Sequence, residues 1–246
     1  MNRFFVSTSD FEGDRVRLNR AQAHQVRQVL RLGPGDGIVV LDGRGAEYEV
    51  TLTAVGSKEA VGRVVSTRAA VGEPKVEITL FQSLLAREKF EWVLQKATEV
   101  GVAQIVPVLT ERSLVRTKQI DENKLDRWRR IVTEAAEQSH RGRVPGIGQA
   151  IPFRAAVSSL SDFDRCLIAA PSEAASLREA LRNPGRADPS IALLIGPEGG
   201  FTQDEVTPAC EKGAVAVGLG PRVLRTETAA VVACALILYE LGEMES

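Results

Sequence analysis

The 246-residue sequence is poor in the residues that hold metals or staple folds, with three cysteines and two histidines. Cys166, Cys210 and Cys234 lie far apart and show neither metal-ligand spacing nor a disulfide framework. With only His24 and His140 beside them, no metal is expected, and all three thiols are read as buried in a reducing compartment. The segment from Met1 to Asp10 lacks the sustained apolar core that directs secretion. The longest apolar run, Ala229 to Leu238, is about half of the roughly 20 residues a membrane span needs. A cytoplasmic protein without membrane contact is therefore expected. Gly-Lys-Ser/Thr is missing, which excludes the phosphate-binding P-loop pattern.

What is present is the composition of a soluble globular chain, 44% hydrophobic and 26% charged. Net charge is −1, distributed as +1 over residues 1–73, +3 over 74–150 and −5 over 151–246. The middle third thus holds the best candidate for a phosphate-facing surface. Residues 1–72 carry short strand signals at Phe4–Val6, Val16–Leu18, Ile38–Leu41, Tyr48–Val55 and Val61–Ser66. A helical stretch, His24 to Leu32, has Val26, Val29 and Leu30 on one face and stops at Gly33-Pro-Gly-Asp-Gly37. This pattern suggests a small β-barrel, with Ala69 to Pro74 as linker.

From residue 73 onward strands and helices alternate. Strands are expected at Val76–Phe81, Ala103–Leu109, Arg165–Ala169, Ile191–Ile195 and Ala214–Leu219. Helices are expected at Glu88–Val100, Asp121–Ser139, Ser172–Arg182, Thr202–Lys212 and Thr226–Leu241. In the second of these, Leu125, Trp128, Ile131 and Val132 should point inward. Such alternation argues for an α/β domain with a mostly parallel sheet covered on both faces.

Two strand–loop–helix junctions stand out. Ile191–Ile195 runs into Gly196-Pro-Glu-Gly-Gly200, and Thr202 with Glu205 carries a capping-box signature. Gly218-Leu-Gly-Pro-Arg-Val-Leu-Arg-Thr226 is the second junction, and it fails as a dinucleotide fingerprint because the third glycine is missing. Taken alone it is equally a plain helix start, with Thr226 as cap and Glu227 near the positive end of the dipole. Together, in a parallel sheet, both loops emerge at one carboxyl edge and can line one pocket. Backbone donors and acceptors with apolar walls at Leu219 and Leu224 suit an adenosine-like ligand rather than a metal.

Several segments together resemble the RsmE-like ribosomal RNA uridine-N3 methyltransferases of the SPOUT class. They are Ile195–Phe201, Leu219–Ala229, Gln95-Lys-Ala-Thr-Glu-Val-Gly101, and Glu134-Ala-Ala-Glu-Gln-Ser139 with Arg141. Arg3-Phe-Phe-Val6 and Val29-Leu-Arg-Leu-Gly-Pro-Gly-Asp36 are similar to that family's PUA-like domain. The likeness spans nearly the whole chain.

The resemblance implies an RNA-binding PUA-like barrel over residues 1–72 and a SPOUT domain with a deep trefoil knot over 73–246. It implies S-adenosylmethionine held by Ile195, Gly196, Glu198, Gly199, Gly200, Leu219, Gly220, Leu224, Thr226 and Ala229. It further implies a homodimer that makes N3-methyluridine in 16S ribosomal RNA of the 30S subunit. One departure is visible. Where many relatives carry a lysine- and glycine-rich stretch, this chain reads Leu85-Ala-Arg-Glu-Lys-Phe-Glu-Trp92, with Arg87 and Lys89 expected to supply the charge.

Glu137, Gln138, Arg141 and Arg222 are expected to face substrate RNA. Arg112, Arg116, Lys118, Lys124, Arg127, Arg129 and Arg130 are in large part solvated surface, a subset of which contacts phosphates. Arg225 is the candidate catalytic cation, favouring charge developing on uridine O2 or O4. Glu198 and Glu227 are the candidate proton acceptors, and either equally serves as loop anchor or cap. Two other functions stay open at this point: a SPOUT enzyme acting on transfer RNA, and an RNA-binding assembly factor without catalysis.

Overall fold

The computed structural model describes residues 1–115, 119–170, 175–182 and 189–245. The chain divides into two compact units, one of Met1–Glu73 with Ala136–Val144, the other of Pro74–Ala135 with Pro145–Ser246. The sequence suggested a single contiguous cut; the division observed is discontinuous.

The first unit is built on a six-stranded sheet. Its strands are β1 (Arg3–Phe5), β2 (Phe11–Glu12), β3 (Arg15–Leu18), β4 (Gly37–Leu41), β5 (Ala46–Val55) and β6 (Ala60–Ala69), in the order β1-β4-β5-β6-β3-β2. Only the β1–β4 pair is parallel. Alternation does the work expected of it, since Val16, Leu18, Val50 and Leu52 point into the core while Arg15 and Arg17 point out.

The helix begins earlier than its apolar spacing suggested. Asn19 accepts from the amides of Ala21 (2.9 Å) and Gln22 (3.1 Å), while Gln22 Oε1 accepts from the Asn19 amide, a reciprocal cap that starts α1 (Arg20–His24). A π-helical turn follows over Gln25–Val29, in which the Leu30 amide donates to the Gln25 carbonyl five residues back. That wider turn corrects the expected face. Val26 and Leu30 pack toward the core, but Val29 is rotated out and 66% exposed.

In the second unit β7 (Glu77–Ser83) leads to α2 (Arg87–Val100), then β8 (Gln104–Leu109) and α3 (Glu122–Gln138). Next come the short β9 (Gly146–Ile147) and β10 (Ile151–Pro152), then α4 (Phe153–Ser158), none of which the sequence pattern announced. The chain continues through β11 (Arg165–Ala169), β12 (Ala175–Ser176), α5 (Leu177–Leu181), β13 (Ser190–Ile195), α6 (Gln203–Glu211), β14 (Ala214–Gly218) and α7 (Thr226–Glu240). The expected start at Ser172 of the helix after β11 lies outside the described residues.

Every pairing in this sheet is parallel, in the order β10-β8-β7-β13-β11-β14-β12 with β9 beside β8. Both faces of β13 are buried. Ala192 and Leu194 join a cluster with Phe153 and Val157 of α4 and Ala209 of α6, while Ile191, Leu193 and Ile195 are buried on the other side. This explains the uninterrupted apolar run. Leu125, Trp128 and Val132 are buried as expected, Ile131 only partly so, and Trp128 lies 4.6 Å from the ring of Phe90 on α2. The thiols need one correction. Cys166 and Cys234 are buried, and burial pushes them up to about 11 and about 12, but Cys210 on α6 is exposed.

Candidate functional site

β7 and β13 are neighbours in the middle of the parallel sheet, and the chain leaves them in opposite directions. β8 follows on the far side of β7, whereas β14 lies beyond β11. Such a reversal opens a crevice at the carboxyl ends of the strands. The residues at those ends are polar and buried: Gln82 and Ser83 finish β7, and Thr110 and Ser113 follow β8. Thr110 Oγ1 lies 2.7 Å from Ser113 Oγ and 3.3 Å from Ser83 Oγ. Sequence reasoning missed this cluster, although an apolar strand ending in Gln-Ser was a visible signal.

The two glycine-bearing loops meet here. The Thr226 hydroxyl, on the first residue of α7, donates to the Gly196 carbonyl at 2.5 Å. Gln82 Nε2 in turn donates to Thr226 Oγ1 at 3.4 Å and to the Ser83 carbonyl at 3.2 Å. Among the described residues, Gln82 Oε1 is buried with no hydrogen-bond partner. One hydroxyl therefore ties the end of β13, the end of β7 and the start of α7 together, and it brings both predicted loops to one edge.

The first loop is held from every side. The Gly200 amide closes a turn onto the Pro197 carbonyl at 2.9 Å, with Gly200 at φ +66°. A Cβ on Gly196 would stand 3.2 Å from the backbone of Gly200 and Phe201, so no larger residue fits without displacing the turn. Arg112 donates to the Gly199 carbonyl at 2.8 Å. Lys89 donates to Glu198 Oε1 at 2.7 Å. That contact, against some burial, holds the Glu198 carboxyl below the usual range. Past the loop, Glu205 accepts from the amides of Thr202 (3.0 Å) and Glu111 (2.8 Å), which fixes the start of α6.

The second loop is open. No backbone group of Gly220 to Leu224 is bonded to another backbone group among the described residues. Gly220 sits at φ +97°, Val223 is 99% exposed and Leu224 is half-buried. Arg222 and Arg225 are exposed, and Arg225 is the residue before the first turn of α7. Glu227, in that turn, has a buried Oε2 with no hydrogen-bond partner among the described residues. Lys89 is held above the usual lysine range first by its bond to Glu198, with Glu227 adding to the effect and Arg225 opposing it. The charges of both loops therefore act on one ammonium group.

The expected RNA-facing residues are placed differently. Glu137, Gln138 and Arg141 belong to the N-terminal unit, and Arg222 to the other. Gln138 is exposed, while Glu137 Oε1 accepts from the Phe5 amide at 3.0 Å. Arg141 is only 3% exposed. It makes a two-pronged ion pair with Glu73, at 3.2 Å from Nε and 2.8 Å from Nη2. A buried, fully engaged guanidinium is a structural anchor, which corrects its expected substrate role. Arg87 pairs with Glu91 rather than reaching the loop, so Lys89 alone of the two supplies charge there. Arg116 and Lys118 lie outside the described residues. Among the described residues no cluster of His, Cys, Asp or Glu is arranged to hold a metal, and no helix is long and apolar enough to cross a membrane.

Comparison with known proteins places the chain in a family. Residues 72–238 match the family model described as an RNA methyltransferase domain, and residues 12–65 match an RNA methyltransferase PUA domain. Ribosomal RNA small subunit methyltransferase E of Bacillus subtilis (strain 168) is 30% identical over 98% of this chain and 97% of its own. The protein of that name from Synechocystis is 36% identical over 90% of this chain and 72% of its own. The crystal structure of the Neisseria gonorrhoeae protein of that name, bound to S-adenosyl methionine, superposes with TM-score 0.87 at 33% identity, covering 97% of each chain.

Proposed function

The chain belongs to the RNA methyltransferase family that includes ribosomal RNA small subunit methyltransferase E, and from that premise we propose that it methylates N3 of a uridine in 16S ribosomal RNA with S-adenosylmethionine as donor. The observation that carries this reading is the Thr226 hydroxyl bound to the Gly196 carbonyl, which makes one cradle of two loops.

The cradle suits the donor. A side chain at Gly196 would crowd the turn, Gly220 to Leu224 offer backbone groups not bonded to other backbone among the described residues, and the half-buried Leu219 and Leu224 give apolar surface for an adenosine. Ile195, Gly196, Gly199, Gly200, Leu219, Gly220, Leu224, Thr226 and Ala229 are the residues that would hold it. When bound, S-adenosylmethionine supplies a methyl group on a positively charged sulfonium, already an effective leaving group. The protein's own task is then positioning and electrostatics.

Arg225 stands at the loop mouth, where its guanidinium favours negative charge on O2 or O4 as the uridine loses its N3 proton. Glu198, occupied by Lys89, anchors the first loop. Glu227, with one carboxylate oxygen buried and without a partner among the described residues, is the better proton acceptor. Arg222, exposed on the second loop, contacts RNA.

The same reading gives the second unit a deep trefoil knot and the protein a homodimeric, cytoplasmic form. The helix α7 supports the dimer. It is apolar around its circumference, and Leu236 and Tyr239 are 39% and 60% exposed, a face that a second copy would cover.

The test is incubation with methyl-labelled donor and 30S subunits from cells lacking the gene, then mass spectrometry of the digested RNA. Label in N3-methyluridine at a single 16S position is the expected result. Donor binding by calorimetry without transfer to any RNA would leave a binding factor, and label in transfer RNA alone would reassign the substrate.

A further inference from the structure

The cations of this chain divide by whether another group answers them. In residues 87–143, where the excess of positive charge pointed to phosphate contacts, the described cations are engaged. Arg87 and Arg127 share Glu91, Lys96 holds Glu99, Arg129 holds Asp126, and Arg130 faces Glu134. Lys89, Arg112 and Arg141 are committed as described above, and Lys124 stands 5.1 Å over the Trp128 ring.

The N-terminal unit contains the opposite case. From Arg15 to Gly35 the sequence has five arginines and one histidine but no aspartate or glutamate. Arg17 is answered by Glu12 at 3.0 Å. Arg20, His24, Arg27 and Arg31 are all exposed, and none makes an ion pair or side-chain hydrogen bond among the described residues.

Arg20, His24 and Arg27 recur on successive turns of one helical segment, and Arg31 follows just past its C-terminal end, in the left-handed region at φ +57°. The segment is firmly mounted. Asn19 and Gln22 cap it, Gln22 Nε2 donates to the Phe5 carbonyl at 2.6 Å, and Ala23 and Val26 are fully buried beneath it.

We propose that this outward stripe is the surface by which the N-terminal unit grips the sugar-phosphate backbone of its RNA. The inference rests on the RNA-methylating function proposed above and names the element that carries contact. Regularly repeated cations fit a regularly repeated anion better than they fit a single one. Three of the four are arginines, whose planar forks match phosphate oxygens two at a time and shed water more readily than ammonium groups.

The test measures affinity of the full-length protein for a 16S ribosomal RNA transcript across about 50 to 200 mM salt. Replacing Arg20, Arg27 and Arg31 together by Gln should weaken binding by about tenfold or more at the upper end. It should lower the slope of log affinity against log salt by about 2, at roughly 0.7 per lost single-strand contact. The Arg-to-Lys triple variant should keep the slope, and donor affinity by calorimetry should match wild type in both. Wild-type RNA binding with an unchanged slope in the Gln variant would overturn this surface alone. Failure of the wild type to bind RNA at all would overturn the surface and the proposed function together.

Discussion

Two loops leave the same edge of the parallel sheet and are built on opposite plans. Gly196–Phe201 is tethered at nearly every residue, by Thr226, by the turn at Gly200, by Arg112 and by Lys89. Gly220–Leu224 has no backbone tether among the described residues. The contrast teaches that a cradle of this kind needs one wall fixed before a ligand arrives and another whose polar groups are still unspent. A fixed wall limits the ordering cost of binding, and a free one supplies the new hydrogen bonds.

The sharpest way to break the contrast is to spoil the fixed wall. Gly196→Val forces branched carbons into a site where one Cβ already meets backbone at 3.2 Å. Overpacking of this kind costs about 1–3 kcal/mol, so donor affinity by calorimetry should fall by up to about a hundredfold. Next is the cation at the free wall. Arg225→Ala should lower turnover by more than about tenfold, with donor affinity and melting temperature unchanged because the side chain is exposed. A smaller loss is expected from Gly220→Ala. An L-residue at φ +97° carries strain of about 1–2 kcal/mol, which should appear as about a tenfold weaker donor affinity.

Lys89→Gln tests whether the tether to Glu198 matters once the rest of the loop is held. An ion pair this exposed is worth at most about 1 kcal/mol, so the change in donor affinity should stay below about fivefold. The smallest effect serves as a control away from both loops. The Arg127 hydrogen bond, then the Arg87 one, outweigh burial and hold Glu91 below the usual carboxylate range. A depressed folded value means the pair stabilises the fold above the unfolded value of about 4.3 and loses that contribution as pH falls through the folded one. Glu91→Gln should therefore flatten the acid side of a melting-temperature profile while leaving donor affinity untouched.

Much of this site was legible because it is written locally. The run Ile191–Ile195, the glycines after it and the Thr202/Glu205 pair lie within 15 consecutive residues, and each has a local physical meaning. The alternation of strands and helices gave the parallel sheet for the same reason. What escaped is made by contacts between distant segments. Lys89 was expected to bring charge to the site, but nothing near Glu198, 109 positions later, announces that the two pair. Arg141 looks like a free cation until Glu73 is found beside it. Val29 was assigned inward because a 3.6-residue period was assumed where the chain makes a wider π turn. Counting charge by thirds of the chain has the same weakness, because a sum cannot tell a paired arginine from an unpaired one.

Glu73 has a consequence beyond its ion pair. Its Oε1 also accepts from the amides of Gly142 (2.9 Å) and Arg143 (3.1 Å), so a late stretch of chain is stitched into the unit that begins at Met1. During synthesis that unit must wait, incomplete, while more than 60 intervening residues leave the ribosome. A gene fragment stopped at residue 72 would encode neither the stitch nor the segment it secures, and a fragment beginning at Pro74 would carry an orphaned arginine with its carboxylate left behind.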